Sequence, residues 1–315
     1  MKKKSHYLVT GGAGFIGSNI VAELVAQKEK VTVFDNFATG RRENLVPFLS
    51  SIILYEGDVR SYHQVREAME GVDYVLHQAA LSSVPRSVRD PITSNQVNVD
   101  GTLNVLIAAR DAKVKRLVFA SSSSVYGDSP TLPKIEEMPT NPLSPYAISK
   151  LAAEKYCLSF SRLYGLETVA LRYFNIFGPR QDPNSQYSAV IPRFITALKS
   201  GEPPIIYGDG EQSRDFTFVS NAVQANLLAC KTPGVSGQVF NVACGARFSL
   251  LEILKTLKEI MGKEISPTHE AARPGDVRHS EAGIEKITSA MHYKVQHNFR
   301  QGLERTVEYF LEGDR

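Results

Sequence analysis

The chain has 315 residues, of which 43% are hydrophobic and 22% charged, and its formal net charge is +3. This composition is typical of a globular protein with a large core. It argues against a nucleic-acid-binding protein, because no basic stripe interleaved with aromatic residues is present. We therefore expect no nucleic-acid partner.

The start of the chain and its cysteines indicate where the protein works. Three lysines at positions 2–4 precede an apolar run at 7–9 that is too short for a signal peptide. No apolar run approaches the roughly 20 residues that cross a bilayer. Cys157, Cys230 and Cys244 lack metal-ligand spacing. We expect a cytoplasmic protein with free thiols, no metal and no membrane partner.

The first half of the chain alternates short apolar runs with helical patterns. The runs that predict strands lie at 7–10, 31–34, 52–55, 74–77, 117–120 and 168–173. The patterns that predict helices lie at 15–27, 62–69, 98–109 and 146–164. This alternation predicts an α/β fold with a Rossmann-type, doubly wound parallel sheet over residues 1–174.

The pattern changes after Asn175. A long polar loop at 178–188 and several prolines and glycines separate three further predicted helices, at 190–199, 221–230 and 250–261. We expect residues 175–315 to form a smaller C-terminal substrate lobe that packs against the first across a cleft. A strand near 237–243 would complete the sheet of the first domain.

A glycine-rich turn joins the first predicted strand to the first helix. Its sequence is Gly11-Gly12-Ala13-Gly14-Phe15-Ile16-Gly17, and Asp35 closes the next strand. Glycine lets the backbone approach a pyrophosphate at a helix N-terminus, while an acid about 20 residues on binds the adenosine ribose. The pattern predicts a dinucleotide site that prefers NAD to NADP, since Asp35 would repel a 2′-phosphate.

A tyrosine and a lysine follow one helical turn apart in Tyr146-Ala147-Ile148-Ser149-Lys150. An ammonium beside a phenol lowers the phenol's pKa, which makes tyrosine usable as a base. A solvated helix face is the alternative. The serine turn at 121–124 ends a predicted strand, where open sheets bind ligands. Its hydroxyls could bind a substrate oxygen or cap backbone groups.

The chain resembles the extended short-chain dehydrogenase/reductases, and among them the UDP-glucose and UDP-N-acetylglucosamine 4-epimerases. The resemblance runs from about Tyr7 to near the C-terminus. It rests on the glycine motif, Asp35-Asn36, Gly57-Asp58-Val59-Arg60, His77-Gln78-Ala79-Ala80, Asn98-Val99-Asp100-Gly101-Thr102, the serine turn, Tyr146 to Lys150, Arg172-Tyr173-Phe174-Asn175, Ser213-Arg214-Asp215-Phe216 and Arg273-Pro274-Gly275-Asp276.

The resemblance implies a role for each matching position. The catalytic residues would be Ser122, Tyr146 and Lys150. The NAD-binding residues would be Gly11, Gly14, Phe15, Ile16, Gly17, Asp35, Asn36, Asp58, Val59, Ala79, Ala80, Asn98, Tyr146 and Lys150. The UDP-sugar-binding residues would be Ser122, Ser123, Tyr146, Asn175, Gln181, Ala189, Arg214, Arg273, Asp276 and Ser280. It also implies a homodimer through the helices at 98–109 and 146–164.

The implied reaction is 4-epimerisation of a UDP-hexose through a transient 4-keto intermediate. A nucleotide-sugar 4,6-dehydratase would carry an Asp-Glu pair where this chain has Ser123-Ser124, and a UDP-glucuronate decarboxylase would carry a Glu in that turn. A UDP-glucuronate 4-epimerase shares the serine-rich turn and stays open. From another class, a non-catalytic NAD-binding regulatory protein also stays open, although the intact Ser122, Tyr146 and Lys150 argue against it.

One position bears on the choice of sugar. Ser280 stands where epimerases restricted to unacetylated sugars resemble one another in having a Tyr. A small residue there resembles the epimerases that take N-acetylated sugars, and Gln181 and Ala189 fit the same group. We therefore expect UDP-N-acetylglucosamine and UDP-N-acetylgalactosamine as favoured substrates, with UDP-glucose and UDP-galactose also accepted. A serine in an irregular loop is the alternative.

Overall fold

The computed structural model describes residues 4–182, 190–271 and 278–312. Its strands, in chain order, are β1 His6–Thr10, β2 Lys30–Asp35, β3 Ile52–Glu56, β4 Tyr74–His77, β5 Arg116–Ser122, β6 Thr168–Tyr173, β7 Ile176–Phe177, β8 Ile205–Tyr207, β9 Ser213–Asp215, β10 Thr217–Phe218, β11 Gln238–Val242, β12 Arg247–Ser249, β13 Thr268–Glu270 and β14 His279–Ser280. Its α-helices are α1 Phe15–Ala26, α2 Tyr62–Ala68, α3 Val84–Arg89, α4 Pro91–Asn95, α5 Gly101–Asp111, α6 Pro145–Tyr164, α7 Val190–Ser200, α8 Val219–Lys231, α9 Leu250–Met261, α10 Glu285–Met291 and α11 Phe299–Glu312.

Seven strands form one parallel sheet in the order β11-β6-β5-β4-β1-β2-β3. The strands β2 and β3 follow β1 on one side of the sheet, and β4, β5 and β6 continue from β1 on the other side. Doubly wound sheets bind ligands at the point between β1 and β4 where the strand order changes direction. The six strands predicted for the first half all lie in this sheet. The predicted Rossmann-type α/β fold is confirmed.

Helices cover both faces of the sheet, which explains why its strands are apolar almost throughout. One face packs against α1 and α8, with Ile20, Leu24 and Ala222 among its buried residues. The other face packs against α2, α5 and α6, with Val105 and Cys157 buried there. The sheet is therefore a middle layer between helices. The carboxyl ends of its strands position the loops of the site described below.

The helix predicted over 98–109 is wrong at its start. Residues Gln96–Asp100 form a π-helical turn, and α5 begins at Gly101. A Cβ on Gly101 would lie 2.7 Å from Cγ2 of Val59, so only glycine allows this close approach. A single wide turn leaves the apolar spacing almost helical, which is why periodicity did not reveal it.

Two short helices, α3 and α4, fill a stretch to which the sequence analysis assigned no element. Ser83 caps α3 by accepting from the backbone N–H of Arg86, and Asp90 caps α4 by accepting from that of Thr93. Each helix has a proline in its first turn. A capping residue followed by proline is a known helix start, so this signal was present in the sequence.

The chain leaves the sheet after β6 and returns to it at β11, which lies within the region 237–243. Between and beyond these strands, β7 pairs with β10, β9 pairs with β12 and β14, and β8 pairs with β13. A separate apolar cluster holds this region together and includes Phe177, Phe216, Phe218 and Phe299. The division into domains at 174 and 175 stays a prediction.

Within residues 4–182, 190–271 and 278–312, no helix is both long and apolar enough to span a bilayer.

Candidate active site

The glycine turn between β1 and α1 brings backbone close to backbone. Gly11 adopts φ +68°, and a Cβ there would lie 2.7 Å from the backbone nitrogen of Ala79. A Cβ on Gly17 would lie 2.1 Å from the carbonyl oxygen of Gly11. Gly14 caps α1 without any side-chain hydrogen bond, so N–H groups of the first turn are left for a ligand. The turn is therefore built to receive an anionic group.

Asp35 ends β2 beside this turn and is 7% exposed. Its carboxylate accepts hydrogen bonds from the backbone N–H of Ala13 at 2.9 Å and of Phe37 at 2.8 Å. Burial raises the pKa of Asp35, and these backbone bonds oppose the rise. The carboxylate is thus held at a fixed position at the carboxyl end of the sheet.

The ends of β2 and β3 are joined by a side-chain hydrogen bond from Asn36 to Asp58, 3.0 Å long. Arg60 also pairs with Asp58 at 2.7 Å, and its hydrogen bond lowers the pKa of that carboxyl. Val59 is buried next to them. These residues form the outer end of the crevice.

Tyr146 and Lys150 lie one turn apart on α6. Tyr146 is half-buried. Burial raises the pKa of Tyr146, and the hydroxyl of Ser122, the last residue of β5, opposes the rise. The helix start is fixed by Ser87 of α3, which accepts from the backbone N–H of Tyr146 at 3.0 Å.

Lys150 is 4% exposed, and its Nζ donates to the carbonyl oxygen of Ala120 at 2.8 Å. Burial lowers the pKa of Lys150 to about 8. His77, at the end of β4, is buried nearby, and burial together with the Lys150 charge lowers its pKa to about 3. His77 is therefore neutral, and Lys150 is the cation beside the tyrosine.

A single cleft of about 530 Å³ connects these parts. Thirteen residues predicted for the site line it, and they are Gly11, Gly14, Phe15, Ile16, Gly17, Asp35, Asn36, Val59, Ala79, Ala80, Tyr146, Lys150 and Gln181. Asp58, Asn98, Ser122 and Ser123 stand outside this lining. Ser122 and Ser123 are half-buried at the turn that follows β5.

Asn98 differs most from its expected position, because it lies behind the wall of the cleft. It is 1% exposed and bonds to both backbone groups of Leu81, accepting at 2.8 Å and donating at 3.2 Å. It also donates to Ser149 of α6 at 3.0 Å. A fully paired amide of this kind ties the segment after β4 to the helix of Tyr146 and leaves little capacity for a ligand.

A second cleft, of about 240 Å³, is lined by the polar residues Asn175, Arg193, Gln212 and Arg214 together with aromatic and aliphatic residues. Asn175 has φ +37° and donates to the backbone oxygen of Asp215 at 3.1 Å. Arg214 donates to the backbone oxygens of Ser213 and Arg278. The cleft thus combines two arginines and two amides with a largely apolar wall.

Of the remaining predicted substrate residues, two lie in the described part of the chain and three lie outside it. Ser280 on β14 pairs in register with Arg214 on β9 but lines neither of the two clefts. Gln181 lines the first cleft, and its buried Oε1 has no hydrogen-bond partner among the described residues. Ala189, Arg273 and Asp276 lie outside the described residues.

Comparison with known proteins identifies the family. The model of the NAD dependent epimerase/dehydratase family matches residues 7–243. The chain belongs to this family. It is 36% identical to the putative UDP-glucose 4-epimerase of Methanocaldococcus jannaschii over 98% of this chain and 99% of that protein.

Two solved structures are also similar to this chain. One is a UDP-N-acetylglucosamine 4-epimerase from Methanobrevibacter ruminantium in complex with UDP-N-acetylmuramic acid, at 41% identity and a TM-score of 0.94, covering 99% of both chains. The other is the Thermus thermophilus UDP-glucose 4-epimerase in complex with NAD, at 36% identity and a TM-score of 0.88, covering 97% of this chain and 99% of that one.

The residues of the first cleft fit the cofactor that gives the NAD dependent epimerase/dehydratase family its name. The glycine turn leaves room where a Cβ would fill it, and the uncapped start of α1 suits a pyrophosphate. Asp35 supplies a carboxylate at the end of β2. NAD is the cofactor of this epimerase/dehydratase.

The cleft of this family member also contains residues that the sequence analysis did not single out. Arg41 pairs with Asp182 at 3.3 Å, and both line the cleft, from opposite parts of the chain. Tyr173 lines it too, and its hydroxyl bonds to Gln78 at 3.1 Å and to Asn226 at 2.7 Å. Tyr173 and Gln78 lie inside quoted motifs, which was the available signal, whereas no pattern marked the Arg41–Asp182 pair.

Proposed function

We propose that this protein is an NAD-dependent 4-epimerase of UDP-hexoses. The observation that carries the proposal is that Tyr146 and Lys150 line the cleft that fits NAD, with Ser122 at the end of β5 next to Ser121 of the same lining. The second cleft, with Arg214 and Asn175, offers groups for a diphosphate. The reaction needs a reactive tyrosine, a dinucleotide site and a diphosphate site.

Tyr146 is the proposed base and removes the proton from the sugar 4-hydroxyl. Burial alone makes Tyr146 a poor base, so a positive charge must stabilise its phenolate. Lys150 supplies that charge one turn away, and the hydroxyl of Ser122 also opposes the rise in the pKa of Tyr146. When bound, NAD takes up the hydride from C4 and returns it to the opposite face, so no net oxidation results.

The proposed cofactor contacts follow the lining of the cleft. The backbone of Gly11 to Gly17 holds the pyrophosphate, and Asp35 with Asn36 binds the adenosine ribose. Asp58 and Val59 flank the adenine at the outer end, and the backbone of Ala79 and Ala80 runs along the cofactor. We assign Asn98 a supporting role, because its amide holds Leu81 and Ser149 rather than facing the cleft.

The proposed substrate contacts begin at the second cleft. Asn175 and Arg214 bind the UDP diphosphate, a group that planar guanidinium donors suit. Arg273 and Asp276 are proposed to complete this site, Gln181 and Ala189 to border it, and Ser123 to lie beside the sugar.

N-acetylated UDP-hexoses are the proposed preferred substrates. Ser280 on β14 pairs in register with Arg214 on β9. A small side chain therefore stands on the strand next to the arginine that is proposed to bind the diphosphate. A small residue leaves volume for an acetamido group. The similar Methanobrevibacter ruminantium protein, described as a UDP-N-acetylglucosamine 4-epimerase, supports this preference.

Two related reactions need a carboxylate that the turn after β5 lacks. In a 4,6-dehydratase or a decarboxylase, an acid would stand at Ser123 or Ser124, and the first carboxylate after the turn is Asp128. A UDP-glucuronate 4-epimerase shares the serine-rich turn and is the alternative that the assay below must separate.

One assay tests the proposal, namely interconversion of UDP-N-acetylglucosamine, UDP-glucose and UDP-glucuronate side by side. We expect turnover of the first two and a nearly inactive Tyr146→Phe variant that still binds UDP-sugar, since the base acts only in the transition state. Ser280→Tyr should reduce activity on the acetylated substrate and spare UDP-glucose. Activity confined to UDP-glucuronate, or none, contradicts the proposal.

We further propose that the protein is a cytoplasmic homodimer. Three free cysteines suit a reducing compartment. The dimer would form through the helices at 98–109 and 146–164, and the second of these, α6, exposes the apolar side chains of Ile148, Tyr156 and Tyr164. A second copy would cover this surface. Light scattering of the purified protein tests the dimer, and Ile148→Glu should dissociate it.

A further inference from the structure

Arg180 lies in the loop that follows β7 and lines the first cleft together with residues of the glycine turn. Its Nη1 donates to the backbone oxygen of Ser18 and to Oδ1 of Asn19, each at 3.3 Å. Its guanidinium also lies over the ring of Phe48, with 5.3 Å between Cζ and the ring centroid. These contacts fix the guanidinium against the first two turns of α1.

Asn19 of α1 holds both Arg180 and the loop that carries it. Its Nδ2 donates to the backbone oxygen of Pro179 at 3.0 Å and to that of Phe15 at 2.9 Å. Its Oδ1 accepts from Arg180. One amide therefore binds the helix backbone, the loop backbone and the guanidinium, and so sets where Arg180 lies relative to the start of α1.

The charge of Arg180 has no counter-charge in the protein. Two other arginines that line this cleft have carboxylate partners, since Arg41 pairs with Asp182 at 3.3 Å and Arg60 pairs with Asp58 at 2.7 Å. Arg180 is half-buried and forms no ion pair with any described residue. Burial lowers the pKa of Arg180, so its surroundings disfavour the charge that a guanidinium nevertheless keeps. An anion bound in the cleft would offset this cost.

We propose that Arg180 binds the pyrophosphate of NAD and that Asn19 positions it for this contact. The two bonds of Nη1 use at most two of the five N–H groups of a guanidinium. The N–H groups on Nε and Nη2 have no hydrogen-bond partner among the described residues, and they form the planar fork that suits phosphate oxygens. Ser18 follows Gly14 by four residues, which is about 6 Å along a helix, so the fork is held near the start of α1. The inference concerns the cofactor and does not depend on which sugar is converted.

The test compares the wild type with Arg180→Met and Arg180→Lys. Methionine removes the charge, and lysine keeps the charge without the planar fork. Competition against labelled NAD gives dissociation constants for NAD, ADP-ribose and adenosine. We expect Arg180→Met to weaken NAD and ADP-ribose about 10- to 100-fold, as the loss of a hydrogen bond between charged groups does. Adenosine has no phosphate and should change by less than about twofold, and Arg180→Lys should fall between the wild type and Arg180→Met.

Asn19→Ala tests the positioning role in the same assay. It should weaken ADP-ribose by less than Arg180→Met does, because the guanidinium stays in the loop but loses its anchor. In the Arg180→Met background Asn19→Ala should add little, because its effect passes through the guanidinium. Losses that simply add would overturn the positioning role of Asn19.

Arg300→Met is the matched control, because it removes the charge of an exposed arginine that pairs with Glu259 and lines neither cleft. It should leave all three dissociation constants unchanged.

Calorimetry with UDP on protein saturated with NAD separates the two diphosphates that the guanidinium could serve. Arg180→Met should leave the affinity for UDP within about twofold, since Arg180 lines the first cleft and not the second. Loss of UDP binding with unchanged NAD binding overturns the inference. Equal losses for ADP-ribose and adenosine also overturn it, because they would mean that Arg180 only supports the fold. If the variants behave as expected but the wild type does not epimerise UDP-hexoses, the proposed function fails and the inference about Arg180 stands.

Discussion

Replacing Glu154 with glutamine tests how the serine turn at the end of β5 is held. Glu154 is fully buried, and its carboxylate accepts from Arg172 at 2.8 and 3.0 Å and from Ser121 at 2.7 Å. Arg172 is 3% exposed, so the amide would leave an uncompensated buried guanidinium. Breaking a buried pair by removing one partner costs about 3–5 kcal/mol. We expect Glu154→Gln to lower the free energy of unfolding by that amount.

The assay is urea unfolding with NAD at one fixed concentration, since bound ligand adds to apparent stability. Glu259→Gln is the matched control, because Glu259 pairs with Arg300 at the same distance of 2.8 Å but both side chains are about half exposed. An exposed pair contributes about 0–1 kcal/mol, so this variant should change little. Equal losses in the two variants would refute the reasoning that burial sets the cost.

Three further predictions concern the cofactor cleft. Gly17→Ala should yield protein that purifies without NAD, because its Cβ would lie 2.1 Å from the Gly11 oxygen, and nucleotide released on denaturation measures this. Asp182→Asn should speed NAD release by up to about fivefold at low salt and by less at high salt, as measured by exchange with labelled NAD, since the half-exposed pair with Arg41 is screened by ions. Lys150→Met should stabilise the NAD-free protein at pH 7 by up to about 3 kcal/mol. The lysine's folded pKa of about 8 lies below its unfolded value, so this burial cost is full below pH 8 and fades as pH rises toward 10.5. Denaturation of the wild type and the variant at pH 7 and at pH 10 shows whether the gain in stability fades at the higher pH.

Much of the sheet could be predicted because its signal is local. The runs at 74–77 and 168–173 coincide with β4 and β6, since strands buried on both faces are apolar throughout. The two- and three-residue strands β7 to β10 and β12 to β14 could not be predicted in this way. β14 has two residues, and its pairing with β9 depends on contacts far apart in the chain.

The site shows the same division. Asp35, Tyr146 and Lys150 line one cleft, and the sequence predicted it because Asp35 ends β2 and the other two lie in the first turns of α6. The position of Asn98 behind Leu81 depends on a π-helical turn that no spacing revealed. The distinct bonds of Ser121, Ser122 and Ser124 could not be predicted either, because four consecutive serines carry no pattern that separates them.

The late return of β11 to the sheet has a consequence for synthesis. On the ribosome β6 emerges with its outer edge unpaired, and its partner Gln238–Val242 follows only after β7, β8, β9 and β10. At translation rates of about 5–20 residues per second, that edge stays open for several seconds. An unpaired apolar edge strand is a template for pairing with other chains. The nascent protein is therefore most prone to aggregation in that interval, and a fragment that stops after β6 would keep this edge open permanently.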